Sequence, residues 1–150
     1  MDKRGFTLIE LMVVIAILVV MTLMAGIFTS VSSGRNELLA VTTDAVDTLR
    51  RAQWHTMLGN EDSVWGVHFE TQKFVLFKGG TYSAVDPSNI ETDIAGVLSI
   101  SSMSLNGGGS EVIFTEPMGE TLTDGTVTFE NSNTGESATV TVNEVGMIDF

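Results

Sequence analysis

The sequence predicts an α+β chain in which one long N-terminal α-helix, part membrane-suited and part amphipathic, packs on a C-terminal antiparallel β head. Three observations carry this. Residues 11–28, LMVVIAILVVMTLMAGIF, contain no charged side chain. Residues 35–58 keep small and apolar residues on one helical stripe. After Gly59 the pattern changes to short alternating runs separated by turns rich in glycine, asparagine and serine.

The apolar run comes first. Eighteen residues rising about 1.5 Å each give roughly 27 Å, close to the hydrocarbon thickness of a bilayer. FTLI in front and TSV behind extend it. The mean hydropathy of +0.27 is high for a 150-residue chain, and the excess is concentrated here. Lys3 and Arg4 precede the run and place its start on the cytoplasmic side. A secretory signal has a shorter apolar region and a small-residue cleavage site, and no clear A-x-A follows this one. Glu10 sits at the start of the run, where a carboxylate is costly without a partner.

The amphipathic half follows. Leu38, Thr42, Ala45, Val46, Leu49, Ala52, Gln53 and Met57 form the stripe, while Asp44, Asp47, Arg50 and Arg51 fall on other faces. Gly59–Asn60 is the expected stop. TSVSSG, residues 29–34, reads as a weak break, and Gly26 as a soft point. Trp54 and Trp65 are expected in the core between helix and sheet.

Six short strands are expected beyond Gly59. Residues 63–70 and 73–79 form a hairpin, residues 97–103 and 111–116 flank NGGG, and residues 125–131 and 137–144 flank SNTG. Residues 80–96 read as loop, and GMIDF closes the sequence.

Charge and composition restrict function. The formal net charge is −12. From Ala52 onward there are two lysines against fourteen Asp and Glu, a surface that repels phosphate backbones. Cysteine is absent, which rules out disulfides and thiolate metal sites. His55 and His68 are the only imidazoles and show no metal-ligand spacing, so neither a catalytic residue nor a metal ligand is assigned. The glycine pairs and triplets lack the context of a phosphate loop. DPSNIETD, residues 86–93, offers Asp86, Glu91 and Asp93 to a calcium ion but fits no standard loop, and a solvated turn is the simpler reading. No cofactor is expected.

GFTLIELMVVIAIL, at residues 5–18, resembles the N-terminus of type IV pilins and type II secretion pseudopilins. The resemblance implies a pilin-like fold and cleavage by a prepilin peptidase between Gly5 and Phe6, which leaves N-methylated Phe6 as the first mature residue. Glycine beside the scissile bond leaves room for close approach of a protease. Glu10 becomes the fifth mature residue, and the resemblance gives it a partner in the N-terminal amine of its own chain or of a neighbouring subunit during assembly. The implied organisation is a leader over residues 1–5, a transmembrane and filament-core helix over 6–31, an amphipathic half over 32–59, and a β-rich head over 60–150. Many type IV pilins carry a proline in the membrane half of this helix; here none occurs before Pro87.

The head resembles the GspH/FimT class, through LRRAQWHTMLGN running into VWGVHF and through the C-terminal GTVTF and ATVTVNEVGMI. Some FimT-like proteins bind DNA through C-terminal basic residues. The corresponding VGMIDF has Asp149 and no arginine, so that role is not carried over. The expected function is a structural subunit of a secretion pseudopilus or type IV pilus, with a minor pseudopilin favoured. Its partners would be other pilin subunits, prepilin peptidase, an inner-membrane assembly platform and, before assembly, lipid. Its place would be the inner membrane, with the head outside the cytoplasm. A competence or DNA-uptake minor pilin and a non-polymerising membrane-anchored binding domain are the alternatives.

Overall fold

A computed structural model describes residues 7–94 and 96–150, and of residues 24–33 the backbone alone. The chain divides into two compact units, residues 1–35 and 36–150. The arrangement is α+β and pilin-like: helix α1 spans Leu8–Met57, and among the described residues nine antiparallel strands follow it. The backbone is helical through residues 29–34, so the break expected at TSVSSG is absent. None of those residues is a proline, and each can donate its N–H to the helix ladder. The helix stops as expected. Gly59 adopts a left-handed conformation (φ 60°, ψ 34°), and its N–H donates to the Thr56 carbonyl at 2.9 Å.

The strands are β1 (Trp65–Glu70), β2 (Lys73–Lys78), β3 (Ile90–Asp93), β4 (Leu98–Leu105), β5 (Glu111–Thr115), β6 (Glu120–Thr121), β7 (Gly125–Asn131), β8 (Ser137–Val142) and β9 (Ile148–Asp149). They form two sheets, ordered β3-β2-β1-β5-β6 and β4-β7-β8-β9. The hairpins at TQ and SNTG form as expected, with Phe69 opposite Phe74 and Glu130 opposite Ser137. Three short edge elements were not expected: β3, inside the segment read as loop, and β6 and β9. At two to four residues they are too short to show a period. The strands flanking NGGG enter different sheets, β4 beside β7 and β5 beside β1.

One apolar cluster holds unit 36–150 together. Leu38, Ala45, Val46, Leu49 and Ala52 of α1 meet Val67, Phe69, Phe74 and Leu76 of the first sheet and Val127, Phe129 and Val140 of the second. Each fully buried phenylalanine contributes about 1.5–3 kcal/mol relative to exposure. Thr42, Thr48 and Thr56 share the buried stripe because their hydroxyls are satisfied locally. Thr42 donates to the Leu38 carbonyl at 2.8 Å, and Thr56 accepts the Trp65 N–H at 2.8 Å. Met57 is exposed and falls outside the stripe.

The two tryptophans part company. Trp65 is 6 % exposed and lies in the core as expected, whereas Trp54 is 62 % exposed. The helical period explains this: Ala52 and Thr56 hold the buried face, and Trp54 between them projects half a turn away. β2 is buried along Phe74, Val75, Leu76 and Phe77. The segment after it covers its second face, where Tyr82 stacks on His68 with ring centroids 4.0 Å apart and meets Phe77 edge-on at 5.6 Å.

Candidate functional site

The start of α1 is built by Thr7. This residue precedes the first helical position, and its Oγ1 accepts the Glu10 N–H at 3.3 Å while its carbonyl accepts the Leu11 N–H at 3.2 Å. Thr7 is therefore an N-cap, and Glu10, three residues on, holds the acidic position of a capping-box sequence. A carboxylate in the first turn also interacts favourably with the helix dipole, worth about 0.3–1 kcal/mol near a surface. The Glu10 side chain is exposed and makes no ion pair among the described residues. Gly5 and Phe6, the expected processing residues, lie outside the described residues.

Beyond Glu10 the helix is apolar on every side. From Leu8 to Leu23 each large hydrophobic residue is exposed, between 47 % and 77 %. Thr22 does not interrupt this surface, because its hydroxyl donates back to the Val19 and Leu18 carbonyls at 2.9 and 3.1 Å. A helix that is hydrophobic all round requires lipid or protein around it. Among the described residues, no helix is long and apolar enough to cross a membrane. The span expected from sequence runs to residue 28, and the side chains beyond Leu23 in it lie outside the described residues.

Residues 1–26 match a family model described as the prokaryotic N-terminal methylation motif. The chain carries a prepilin-type N-terminal methylation motif. That motif supports a type IV pilin-like or pseudopilin subunit, and it implies processing by prepilin peptidase and assembly with other pilin subunits. No curated protein and no solved structure matches the chain. The match ends within the apolar part of α1, so the head has to be read from its own geometry.

In the head the two histidines occupy separate structural settings. His55 stacks on Trp65 at 4.7 Å, and its Nδ1 lies 2.6 Å from Asn60 Nδ2. His68 lies beneath Tyr82, with Nδ1 3.4 Å from Glu111 and Nε2 3.7 Å from Glu70. Both serve packing between neighbouring elements. Among the described residues, no group of three or more His, Asp or Glu could hold a metal ion. In the acidic loop, Asp86 already accepts the Ser88 N–H at 2.8 Å and its hydroxyl at 2.6 Å. The Ser88 hydroxyl, then its N–H, holds the Asp86 carboxyl below its usual range. Glu91 is engaged by Lys73 at 3.3 Å, a hydrogen bond that raises the lysine.

Sequence reasoning named Gln53 only as part of the helical stripe. Its Nε2 donates to the carbonyls of Gly119 at 2.9 Å and Gly146 at 2.8 Å, clamping two C-terminal loops to α1. Gly146 has φ 77°, and a Cβ there would lie 2.0 Å from the Gly119 carbonyl oxygen and 2.4 Å from Gln53 Nε2. A polar residue on a buried stripe was the available signal.

Proposed function

We propose that the chain is a structural prepilin-like subunit that is cleaved after Gly5, N-methylated on Phe6 and assembled into a filament. The observation that carries this reading is the methylation motif over residues 1–26 running into a helix whose described apolar surface is exposed on every side. Such a surface suits lipid before assembly and the packed axis of a filament afterwards. Transfer between two media of similar polarity is nearly neutral, so a single charge pairing can direct it. Glu10 supplies that charge, with the amine of N-methyl-Phe6, its own or a neighbour's, as its partner.

Residues 1–5 are then the leader, 6–31 the membrane and filament-core helix, 32–59 the amphipathic half and 60–150 the head. The chain acts without catalysis, in the inner membrane and then in a periplasmic or extracellular filament, with an inner-membrane platform as a further partner. A minor pseudopilin of the GspH/FimT class in a type II secretion system is favoured by the run LRRAQWHTMLGN into VWGVHF and by the C-terminal strand pattern. The net charge of −12 and the absence of arginine in VGMIDF weigh against a DNA-uptake role.

The test replaces Glu10 with Leu in the full chain produced with a prepilin peptidase. Normal removal of residues 1–5 together with failed incorporation into filaments is expected. Unchanged incorporation would remove the assembly role of Glu10.

A further inference from the structure

The face of α1 turned away from the core carries a basic and aromatic patch. Arg51, Trp54 and His55 lie three and four residues apart on one side of the helix and, with Arg50 and Asp47, line a shallow groove. Leu58, one turn beyond Trp54, is also exposed. Asp47 reaches Arg50 only at 3.7 Å, and both side chains are more than half exposed, so little holds Arg50 there. Arg51 has no ion-pair partner among the described residues. An exposed tryptophan beside a free arginine is the composition of an interface centre.

The same unit, residues 36–150, carries a surface of matching chemistry. A cleft of about 240 Å³ is lined by Glu120, Asp124 and Glu144 together with Leu122 and Val145, and no lysine or arginine lines it. Leu122 is 81 % exposed. Acidic rim and apolar wall answer the arginines and the indole.

We infer that the Arg51–Trp54 patch of one copy docks in the Glu120–Asp124–Glu144 cleft of the next copy of this chain. The inference rests on the filament reading given above and adds which head surfaces meet. When the patch and the cleft of one copy engage different neighbours, a docked pair still offers one of each. Such a contact propagates instead of closing into a pair, which is the geometry of a filament. A second copy is the occupant favoured by local complementarity. Net charge of −12 opposes an anionic strand and another copy alike, so the preference rests on the cleft, which sets Leu122 and Val145 beside its carboxylates to meet the indole and the arginines together.

The absence of cysteine allows a direct test. Two full-length chains with different tags, one carrying Leu58→Cys and the other Leu122→Cys, are produced together with a prepilin peptidase and treated with a short bismaleimide. A chain with one cysteine cannot link to itself, so a mixed dimer reports contact between copies. The inference expects a mixed dimer from this pair and none when Val85→Cys, also fully exposed, replaces Leu122→Cys. Trp54→Ala or Arg51→Glu in the Leu58→Cys copy should lower the yield about tenfold, the effect of a like charge or lost anchor at an interface. Glu144→Arg in the other copy should restore the yield lost to Arg51→Glu, which a misfolded variant would not permit.

No mixed dimer, an equal yield with Val85→Cys, or a yield indifferent to Trp54→Ala would each overturn the docking. Sedimentable filaments without the mixed dimer would leave the filament reading standing and remove this contact alone. The mixed dimer without filaments would do the reverse. Quenching of indole fluorescence by a short single-stranded oligonucleotide, lost in Trp54→Ala, with no mixed dimer, would overturn the inference in favour of a nucleic-acid surface.

Discussion

Residues 8–23 and residues 36–150 solve the same problem in opposite ways. Both contain enough apolar surface to be insoluble if left open. In the head, the α1 stripe and two sheets enclose that surface, and five phenylalanines there are essentially inaccessible. In the N-terminal segment nothing is enclosed: every large hydrophobic from Leu8 to Leu23 faces outward. The head therefore carries the stability of its own fold, and the N-terminal segment depends on what surrounds it.

The largest expected effect separates these two kinds of apolar residue. In the full chain held in detergent, Phe129→Ala should destabilise the head by about 3–5 kcal/mol in chemical unfolding followed by near-ultraviolet circular dichroism. Ile17→Ala, an equally apolar site on the open segment, should leave that transition where it is. Equal losses from both would mean that the two regions do not differ in the way described.

The next effect concerns the clamp between α1 and the C-terminal loops. Gln53→Ala leaves two carbonyls without their donor and should cost about 1–3 kcal/mol in the same measurement. Gly146→Ala should cost at least as much, because it introduces a Cβ against Gly119 and Gln53 at a positive φ. Asn at position 146 should not recover the loss, since the obstruction is steric as well as conformational.

The smallest effect tests the acidic loop. Ser88→Ala removes the hydroxyl that holds the Asp86 carboxyl low, and the Asp86 titration followed by NMR should move up toward the ordinary carboxylate range. A lowered carboxyl stabilises the fold above its unfolded value, and that contribution is lost as pH falls through the folded one. The variant should therefore be less stable than the parent near neutral pH and should match it once both carboxyls are protonated. An unchanged titration would mean that Ser88 does not control Asp86.

Legibility in the sequence followed the length of the signal. The 3.6-residue stripe from Leu38 to Ala52 and the hairpins at TQ and SNTG were readable because several residues repeat one period. β3, β6 and β9 were not, since two to four residues carry no period and their pairing is imposed by neighbouring strands. Trp54 was misplaced because a tryptophan in an amphipathic helix reads as core; the phase of the helix, fixed by Ala52 and Thr56, decided otherwise. The N-terminal motif was the most legible feature, because a methylation motif is matched by consecutive residues and needs no tertiary context. Of the Gln53 clamp only the polar residue on the stripe was visible, because its two acceptors lie 66 and 93 residues away in sequence.

Whether this chain is a processed filament subunit, as proposed, is decided by mass spectrometry of its mature N-terminus. The expected mature chain lacks residues 1–5 and begins with N-methylated Phe6. An intact Met1, or a cut elsewhere than Gly5–Phe6, would contradict it.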